Sequence, residues 1–370
     1  MERRFIVVFH ETYMKTAIEL AKKGEGYVSP NPLVGAVIVK DDIIIGSGYH
    51  TKYGGLHAER EALKNCRTSP KGASMYVTLE PCSHYGKQPP CTLAIIESGI
   101  DTVYIGSSDP NPEVNGKGIQ VLRDANIKVV TDLLKEECDS LNTFFFHYIA
   151  TNRPYVTLKF AMTIDGKIAS HSGKSQWITG ESARAQVHRD RKRYQAIMVG
   201  VGTVFQDNPV LNCRTKENPV NPIRIICDTK LRTPMNSKIV QTSKEIPTYL
   251  ATCCTDKSKH SPYEMYGCSI LVTKQQNGHI DLNDLMQQLG KIGIDSLFVE
   301  GGGTLNWSLL QENLVNHIQC YIGNKVLGGQ SAKTAILGTG FDTPNDSPAF
   351  KLSNIMCFDE DILLEYDIIT

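Results

Sequence analysis

The residues whose types and spacing suggest chemistry lie between His57 and Cys91. His57 stands two positions before Glu59, and Cys82 directly follows Pro81. One imidazole and two thiolates are enough to hold Zn²⁺ and leave its fourth tetrahedral position for water. Zinc makes such a water nucleophilic near neutral pH, and a nearby carboxylate can carry its protons. The spacing therefore predicts a catalytic zinc site with ligands His57, Cys82 and Cys91 and with Glu59 as proton shuttle.

Two other interpretations of these residues stay open. In the first, Cys82 and Cys91 are buried small hydrophobes and His57 is a hydrogen-bonded core residue. In the second, the zinc site is structural and the domain is a non-catalytic binding module. A structural site closes its fourth position with another Cys or His, and His84 is the nearby candidate. The carboxylate of Glu59 and the open fourth position favour catalysis.

Length and charge limit the classes of protein that fit this chain. Its 370 residues exceed the usual size of one hydrophobic core, which predicts two domains. Lys and Arg number 39, as do Asp and Glu, so the formal net charge is zero. A neutral chain has no bulk attraction to nucleic acid or to an anionic membrane. We therefore expect neither a nucleic acid nor a membrane as partner.

The eleven cysteines indicate the compartment. Their number is odd, and the N-terminal apolar run is too short for a secretory signal. Both features favour a reducing cytoplasm in which thiols are free or metal-bound.

Helices and strands alternate in the first part of the chain. We predict a helix over residues 13–23, a hairpin over 33–45, a helix over 58–66, a strand over 75–79, a helix over 91–98 and a strand over 102–105. The alternation predicts a three-layer α/β domain. His57 would precede one helix and Cys91 would begin another, so two helix N-termini would converge on the metal.

This order of elements, with H-x-E and then P-C, resembles the cytidine-deaminase superfamily. Base deaminases usually have two residues between their cysteines, whereas eight separate Cys82 from Cys91. With the motifs at residues 30–35 and 109–118, this spacing resembles the deaminase half of the bifunctional deaminase/reductase family of riboflavin biosynthesis. Gln88 stands where that family's pattern leads us to expect threonine.

The resemblance implies a specific substrate and further contacts. The substrate would be 2,5-diamino-6-(5-phosphoribosylamino)pyrimidin-4(3H)-one, which the zinc site would deaminate hydrolytically. Asn31 would contact the base or the ribose, although a turn residue between prolines is its alternative interpretation. His84 and Lys87 are candidate phosphate or substrate contacts, or else belong to a solvated loop.

The second domain is expected to begin at residue 147, because residues 151–154 are the most linker-like segment. This division gives a deaminase domain over 1–146 and a reductase domain over 147–370. Strands are predicted over 155–161, 196–201, 223–227 and 297–300. After the last of them, Gly301, Gly302 and Gly303 precede a helix, a pattern typical of a phosphate-binding turn. It lacks the rest of the dinucleotide-binding fingerprint, and a packing turn is the alternative.

Four motifs, at residues 159–167, 175–179, 202–209 and 300–304, resemble the reductase half of the same family, whose fold is similar to dihydrofolate reductase. The resemblance implies NADPH as cofactor and hydride transfer to the ribose C1′, which would give 5-amino-6-(5-phosphoribitylamino)uracil. The implied NADPH-binding residues are Ala161, Trp177, Thr203, Asp207, Thr229, Gly302, Gly303 and Thr304, in a turn that continues to Ser308. The implied substrate-binding residues are Ser175, Arg191, Leu211, Arg214 and Glu300.

Chemical roles are expected for three of these side chains. Arg191 and Arg214 suit a 5′-phosphate, because guanidinium groups bind phosphate oxygens in pairs. Lys159 would polarise or protonate the sugar carbonyl, with a strand-edge charge as its alternative.

The prediction is thus a two-domain α/β protein, with an N-terminal cytidine-deaminase-like α/β/α domain holding catalytic zinc and a C-terminal dihydrofolate-reductase-like α/β domain. The family resemblance also implies a homo-oligomer, either a dimer or a tetramer. A tRNA or DNA base deaminase with an unrelated second domain is the competing hypothesis. The neutral charge and the long spacing between the cysteines argue against it.

Overall fold

The chain folds into two compact units, Met1–Thr151 and Asn152–Thr370. The structure is a computed structural model that describes residues 2–86, 88–111, 114–215 and 219–369. Lys87, one of the expected substrate contacts, lies outside the described residues, as do residues 112 and 113 of the motif at 109–118. The first unit ends a few residues after the expected boundary at 146, because its last helix continues to Thr151.

The first unit contains six helices and five strands among its described residues. They are α1 (Glu2–Lys22), β1 (Gly35–Lys40), β2 (Ile43–Tyr49), α2 (Ala58–Lys64), β3 (Ser74–Leu79), α3 (Cys91–Ser98), β4 (Thr102–Ser107), α4 (Lys117–Asp124), β5 (Lys128–Val130), α5 (Lys135–Leu141) and α6 (Thr143–Thr151). The strands form one sheet in the order β2-β1-β3-β4-β5. β1 is antiparallel to β2 and β3, whereas β3, β4 and β5 run parallel.

Helices cover both faces of this sheet. α1 and α5 lie on one face, where Met14, Ala17 and Cys138 are fully buried. α2, α3 and α4 lie on the other face, and their apolar side chains form a second core with the strands. This arrangement confirms the predicted three-layer α/β/α domain. The predicted strand after residue 43 is longer than expected, because β2 continues through Gly46 and Gly48 to Tyr49.

The second unit is built on one large sheet. Its described elements are β6 (Tyr155–Thr163), α7 (Glu181–Arg193), β7 (Ala196–Gly200), α8 (Val201–Asp207), β8 (Ile223–Cys227), α9 (Lys238–Gln241), β9 (Thr248–Thr252), α10 (Lys257–Tyr266), β10 (Ser269–Val272), β11 (Gln275–Gln276), β12 (His279–Ile280), α11 (Leu282–Lys291), β13 (Ser296–Val299), α12 (Gly303–Gln311), β14 (His317–Gly323), β15 (Phe350–Phe358) and β16 (Asp361–Ile368). β11 and β12 form a separate two-stranded ribbon.

The strand order of the large sheet is β10-β9-β8-β7-β13-β6-β14-β16-β15. The first seven strands in this order are parallel, and β16 and β15 continue the sheet antiparallel. Apolar residues of α11 and α12 pack on one face of the parallel part, and those of α8, α9 and α10 pack on the other. Central strands buried on both faces explain the continuous apolar runs of the sequence. Both predicted domains are thus α/β, as expected.

No described helix has both the length and the apolar character needed to cross a bilayer.

Arg224 is a fully buried cation at the centre of the second unit. All five of its N–H donors are used: Nε donates to Thr248 Oγ1 at 2.9 Å, and Nη1 donates to Thr242 Oγ1 at 2.8 Å. The remaining acceptors are the carbonyl oxygens of Val210, Ile239 and Ile246. Burial lowers the pKa of Arg224 to about 10. One side chain therefore joins the segment after α8, helix α9 and the start of β9 to β8 through neutral acceptors.

We expect Arg224→Met to destabilise the second unit, because it leaves five acceptors without a donor, and one orphaned buried group costs about 1–3 kcal/mol. A loss of about 3 kcal/mol lowers the Tm of a unit of this size by roughly 6–12 °C. Thermal unfolding followed by tryptophan fluorescence measures this, because both tryptophans, Trp177 and Trp307, lie in the second unit. Lys230→Met, at an exposed position, is the matched control. A Tm within about 2 °C of the parent would contradict the assigned role of Arg224.

Candidate active sites

The three predicted zinc ligands meet at the ends of three different elements. His57 is the N-cap of α2, Cys91 is the first residue of α3, and Cys82 lies in the loop that follows β3. His57 Nδ1 lies 3.6 Å from Cys82 Sγ and 3.4 Å from Cys91 Sγ. The ligand atoms all lie within 4.8 Å of one another. Two helix N-termini thus converge on one point, as the sequence predicts.

These distances fit a zinc ion. Zn–S bonds of about 2.3 Å and Zn–N bonds of about 2.0 Å at tetrahedral angles separate the ligand atoms by roughly 3.5–3.8 Å. The observed separations of 3.4 and 3.6 Å agree with this geometry. Within the described part of the chain, the ligand group has three members, and His84 is not among them. Three protein ligands are characteristic of a catalytic rather than a structural site.

Hydrogen bonds favour the thiolate form of Cys82. Hydrogen bonding from Cys91 and then from His57 outweighs burial and lowers the pKa of Cys82 to about 4. The main-chain N–H of Cys91, in the first turn of α3, also donates to Cys82 Sγ at 3.4 Å. The same hydrogen bond to Cys82 raises the pKa of His57. A thiolate at this position is the form that binds a metal.

Glu59 lies in the first turn of α2 with 3% of its surface exposed. Its Oε2 atom is buried and has no hydrogen-bond partner among the described residues. Burial raises the pKa of Glu59, and the neighbouring charge of Cys82 raises it further. A buried carboxyl oxygen without a protein partner beside the ligand group is suited to a substrate or water proton.

His50, which the sequence analysis missed, orients Asn31. His50 Nδ1 lies 2.9 Å from the carbonyl oxygen of Leu56, so this nitrogen carries the proton. His50 Nε2 therefore accepts from Asn31 Nδ2 at 3.1 Å, which leaves Asn31 Oδ1 as the acceptor for a ligand. The His50 ring packs edge-on against His57, with centroids 5.5 Å apart. Nothing in the sequence distinguished His50, because its partner lies nineteen positions away.

Glu80 is a second residue that the sequence analysis missed. Its buried carboxylate accepts main-chain hydrogen bonds from Gly116, Gly118 and Ile119 at 2.9–3.2 Å, at the start of α4. A carboxylate at a helix N-terminus is stabilised by the helix dipole. Glu80 thereby fixes the end of β3 just before the loop that carries Cys82.

The second unit contains a cleft of about 680 Å³ above the carboxyl ends of its central strands. This volume is within the usual range for small-molecule sites. Thirteen of the predicted reductase residues line it: Lys159, Ala161, Ser175, Trp177, Arg191, Thr203, Asp207, Arg214, Thr229, Glu300, Gly302, Gly303 and Thr304. Leu211 is the exception, because its side chain packs in the core with Val201 and Val204. We therefore do not retain the Leu211 side chain as a substrate contact.

Glu300, directly after β13, is the centre of the charged side chains in this cleft. Arg191 holds it with two parallel hydrogen bonds, from Nε at 2.5 Å and from Nη2 at 2.9 Å. Arg191 Nη1 also donates to the carbonyl oxygen of Asn212 at 2.9 Å. Lys159 Nζ lies 3.9 Å from Glu300 Oε2. The guanidinium fork expected to bind phosphate is thus directed at a carboxylate.

The protonation of this group follows from its burial and its charges. Burial alone would raise the pKa of Glu300, but the charges of Arg191 and Lys159 outweigh it and hold the pKa at about 2. For Lys159 burial is the larger effect and lowers the pKa, although Glu300 opposes it. The cleft therefore holds a fixed carboxylate beside an ammonium group that loses its proton more readily than usual.

The glycine turn before α12 fits a phosphate group. Gly301 and Gly302 have φ of 107° and 74°, which residues with a side chain rarely adopt. α12 begins at Gly303, so its free N–H groups and the positive end of its dipole face the turn. Thr203, another predicted cofactor residue, lies next to this turn. A Cβ atom built on Gly302 would lie 3.6 Å from Thr203 Oγ1.

Helix α8 follows the strand predicted over 196–201 and carries Gly202, Thr203 and Val204. In the structure, β7 ends at Gly200 and α8 starts at once with Val201, so these residues lie on a helix. Thr203 and Asp207 both face the cleft because they lie four positions apart on this helix. Ser175 Oγ donates to Asp207 Oδ1 at 3.3 Å.

His188 also lines the cleft and was not singled out in the sequence. It precedes Arg191 by three positions on α7, so both lie on one face of the helix. Burial, followed by the charges of Arg191 and Arg214, lowers the pKa of His188 to about 4. His188 is therefore neutral near pH 7, with the charges of Arg191, Arg214 and Glu300 around it.

Two family models match the chain. Residues 8–107 match the cytidine and deoxycytidylate deaminase zinc-binding region. Residues 154–364 match the RibD C-terminal domain.

Curated relatives match nearly the whole chain. The riboflavin biosynthesis protein RibD of Actinobacillus pleuropneumoniae is 53% identical over 97% of this chain and 95% of that protein. RibD of Escherichia coli K12 is 40% identical over 96% of this chain and 98% of that protein. Among solved structures, the diaminohydroxyphosphoribosylaminopyrimidine deaminase/5-amino-6-(5-phosphoribosylamino)uracil reductase of Thermotoga maritima has a TM-score of 0.88 and 38% identity, covering 98% of this chain and 99% of that one.

We expect the purified protein to contain about one zinc ion per chain and Cys91→Ser to lose it, because serine cannot supply a thiolate. Metal analysis by plasma mass spectrometry after dialysis against a weak chelator measures this. Cys66→Ser is the matched control, since Cys66 lies in the same unit outside the ligand group. Equal zinc content in Cys91→Ser and in Cys66→Ser would contradict the assignment of Cys91.

Proposed function

The chain belongs to the RibD family of bifunctional deaminase/reductases in riboflavin biosynthesis, and on that basis we propose which of its residues carry each reaction. Zinc and NADPH are its cofactors, and a small pyrimidine is its substrate. The observation that carries the proposal is that one chain holds two sites of different chemistry. The first is a three-ligand group beside a buried Glu59, and the second is a cleft with a phosphate-binding turn beside Lys159 and Glu300.

The first reaction is the hydrolytic deamination of 2,5-diamino-6-(5-phosphoribosylamino)pyrimidin-4(3H)-one. His57, Cys82 and Cys91 would hold the zinc ion, which would supply an acidified water. Glu59 accepts a proton from this water as its oxygen bonds to the amine-bearing carbon. Glu59 then gives this proton to the ring nitrogen, takes a second proton from the new hydroxyl group and passes it to the amine, which leaves as ammonia while the C=O bond forms. Its raised pKa supports this role, because a shuttle must both accept and release protons.

Asn31 is the proposed contact to the base or the ribose. Its amide orientation supports this, because His50 holds Nδ2 and leaves Oδ1 to accept from a substrate N–H or O–H. The exposed His84 is a proposed phosphate contact on the loop between the cysteines.

The second reaction reduces the ribosyl group to ribityl, giving 5-amino-6-(5-phosphoribitylamino)uracil. The cleft residues would hold NADPH, which would supply the hydride that C1′ receives. The C1′–O4′ bond breaks, and O4′ takes a proton as it becomes a hydroxyl. Lys159 is the proposed donor of that proton, and its lowered pKa supports the role. Glu300 keeps Lys159 in position across their 3.9 Å separation.

The remaining reductase residues divide by what they contact. Arg191 is a positioning residue, because its fork holds Glu300. The exposed Arg214 is the proposed contact to the substrate 5′-phosphate, together with Ser175. The main chain of Gly302, Gly303 and Thr304 is proposed to bind NADPH phosphate. The other proposed NADPH contacts in the cleft are Ala161, Trp177, Thr203, Asp207 and Thr229.

We also propose a homo-oligomer, dimer or tetramer, in the reducing cytoplasm. Exposed apolar residues on the outer strand of the large sheet, Leu352 and Ile355, support association. The eleven cysteines, all free in this structure, support the compartment. Light scattering of the purified protein measures the assembly.

We expect Glu59→Gln to abolish ammonia release while zinc stays bound, because glutamine cannot accept a proton. The rate of release should fall by about 10²–10⁴-fold. An assay of ammonia on the diamino substrate without NADPH measures this. Glu61→Gln on the same helix is the matched control, since Glu61 pairs with Lys64 at 3.9 Å and lies outside the ligand group. Equal ammonia release by both variants would refute the shuttle role of Glu59, and release from neither variant nor parent would favour a different base as substrate.

We expect Lys159→Met to slow NADPH oxidation by about 10²-fold or more on the deaminated intermediate, with ammonia release unchanged. The pH profile separates a proton donor from a structural residue. Burial lowers the pKa of Lys159, so the parent rate should fall as pH rises through that lowered pKa. In Lys159→Arg the cation keeps its proton, and the alkaline fall should move to higher pH. An identical alkaline limb in the parent and in Lys159→Arg would assign the proton to another group.

A further inference from the structure

Lys159 belongs to a buried group of charges that Glu300 alone does not balance. Glu300 lies 3.9 Å from Lys159 Nζ and accepts two hydrogen bonds from Arg191. The side chains of these three residues are each at most 14% exposed. Two cations and one carboxylate leave an excess positive charge away from bulk water, and an uncompensated buried charge is costly. A second anion would allow Lys159 to keep its proton.

Glu300 is bound more closely to Arg191 than to Lys159. Arg191 holds both carboxylate oxygens in parallel, whereas Lys159 Nζ lies beyond hydrogen-bonding distance. The two partners act on Lys159 in opposite directions, because the carboxylate raises the pKa of Lys159 and the guanidinium lowers it. Arg191 therefore offsets part of the stabilisation that Glu300 gives to the ammonium group.

Asp190 is the second carboxylate near Lys159. It directly precedes Arg191 on α7, and 5% of its surface is exposed. Its negative charge raises the pKa of Lys159, after the larger effects of burial, Glu300 and Arg191. With Asp190 included, two cations are matched by two carboxylates.

Tyr321 on β14 joins Asp190 to Lys159. β14 is the parallel neighbour of β6, and Tyr321 is paired with Ala161, two residues after Lys159, so the three side chains project from one face of the sheet. Lys159 Nζ lies 5.6 Å from the centre of the Tyr321 ring, within cation–π range. The hydroxyl of the same ring donates to Asp190 Oδ2 at 3.2 Å. Because Tyr321 is fully buried, this contact is shielded from water, and burial raises the pKa of its hydroxyl, which stays neutral.

Hydrogen bonds hold the Asp190 carboxylate and favour its charged form. Gln186 Nε2 donates to Oδ1 at 2.9 Å, and Tyr321 donates to Oδ2. Burial raises the pKa of Asp190 to about 6, against these two hydrogen bonds and the charge of Arg193. Asp190 is thus negative at pH 7 and above, where Lys159 loses its proton.

The charged and titratable groups around Lys159 and Asp190 come from four elements. They are Glu300 at the end of β13, Arg191 and Arg193 on α7, Tyr321 on β14 and Glu365 on β16. Arg193 is exposed, so solvent screens its charge. Glu365 opposes the ionisation of Asp190 but is itself paired with His317 at 3.5 Å. Asp190 is held by the uncharged groups of Gln186 and Tyr321, which leave its negative charge in place.

We propose that Asp190, bonded to Tyr321, is a positioning residue for the second reaction, because its charge keeps the ammonium group of Lys159 protonated for donation to O4′. The inference rests on the proposed role of Lys159 as proton donor and adds the residue that maintains its proton. Asp190 is not among the described residues that line the cleft, so it acts through Lys159 rather than on the substrate.

Two measurements on the full-length protein test the proposal. The first is the pH profile of NADPH oxidation on the deaminated intermediate. The second needs no turnover: Lys159 is labelled competitively with trace acetic anhydride across a pH series, and peptide mass spectrometry gives the midpoint of its titration. The variants are Asp190→Asn, Asp190→Glu and Tyr321→Phe. Glu181→Gln is the matched control, because it removes a negative charge from the same helix at a position whose side chain is 96% exposed.

We expect Asp190→Asn to move both the alkaline limb and the labelling midpoint of Lys159 to lower pH by roughly 0.5–1 unit. The sign follows because the rate falls as Lys159 loses its proton, and loss of the Asp190 charge lowers the pKa of Lys159 further. Asparagine keeps the shape of aspartate and can still accept from Gln186, so the fold should be retained. Asp190→Glu keeps the charge and should recover most of the shift. Tyr321→Phe keeps the ring and the Asp190 charge and should shift less than Asp190→Asn, and Glu181→Gln should match the parent.

Three outcomes would overturn the proposal. Coincident limbs and midpoints in the parent and in Asp190→Asn would remove any effect of Asp190 on Lys159. Equal shifts in Asp190→Asn and Asp190→Glu would mean that the fit of the side chain matters and its charge does not. A shift in Tyr321→Phe as large as that in Asp190→Asn would assign the effect to the tyrosine hydroxyl. If the midpoint moves while the alkaline limb stays, Asp190 sets the protonation of Lys159 but Lys159 is not the proton donor, which is a failure of the proposed function alone.

Discussion

A buried carboxylate is stable only where a cation or a proton compensates its charge, and both sites of this protein depend on that constraint. Glu59 and Glu300 are each almost fully buried beside strand or helix ends, but their surroundings differ. Burial dominates at Glu59 and raises its pKa, so the group exchanges protons readily. Arg191 and Lys159 dominate at Glu300 and hold its pKa at about 2, so it remains a fixed negative charge. The same side chain thus serves one unit as a proton carrier and the other as an anchor.

The two units place these carboxylates by the same topological rule. Parallel strands end at one edge of a sheet, and the connections that follow them converge there. In the first unit, β3 delivers Cys82 to this edge, and the N-termini of α2 and α3 add His57 and Cys91. In the second unit, β13 delivers Glu300 and the glycine turn to the edge of the sheet next to Lys159, which lies within β6. Positive helix ends at these edges favour thiolates in one site and phosphates in the other.

Sequence analysis could predict the zinc ligands because local pattern identifies the helix starts at His57 and Cys91 and the strand that ends shortly before Cys82. The same holds for the phosphate turn, where three glycines separate a strand from a helix. It could not predict the pairing of Arg191 with Glu300, which lie 109 positions apart, so the fork was assigned to phosphate. The contact of His50 with Asn31 and the burial of the Leu211 side chain are also products of tertiary packing. Spacing identifies the type of chemistry, whereas non-local contacts decide which partner each side chain takes.

Residues 218–293, in which the sequence analysis recognises no catalytic motif, contribute indirectly to the reductase site. Arg224, on β8, donates a hydrogen bond to the carbonyl oxygen of Val210. Val210 lies four residues before Arg214, so this bond anchors the segment that leads to Arg214. Asp228, four residues after Arg224, fixes the loop that presents Arg232. Both anchors are fully buried and act through hydrogen bonds that the side chains at the cleft do not share. An arginine on an exposed loop is positioned mainly through its main chain, because its side chain has few contacts. Buried polar anchors fix the main chain close to Arg214 and Arg232, which explains why a segment without catalytic motifs still contains two fully buried polar residues.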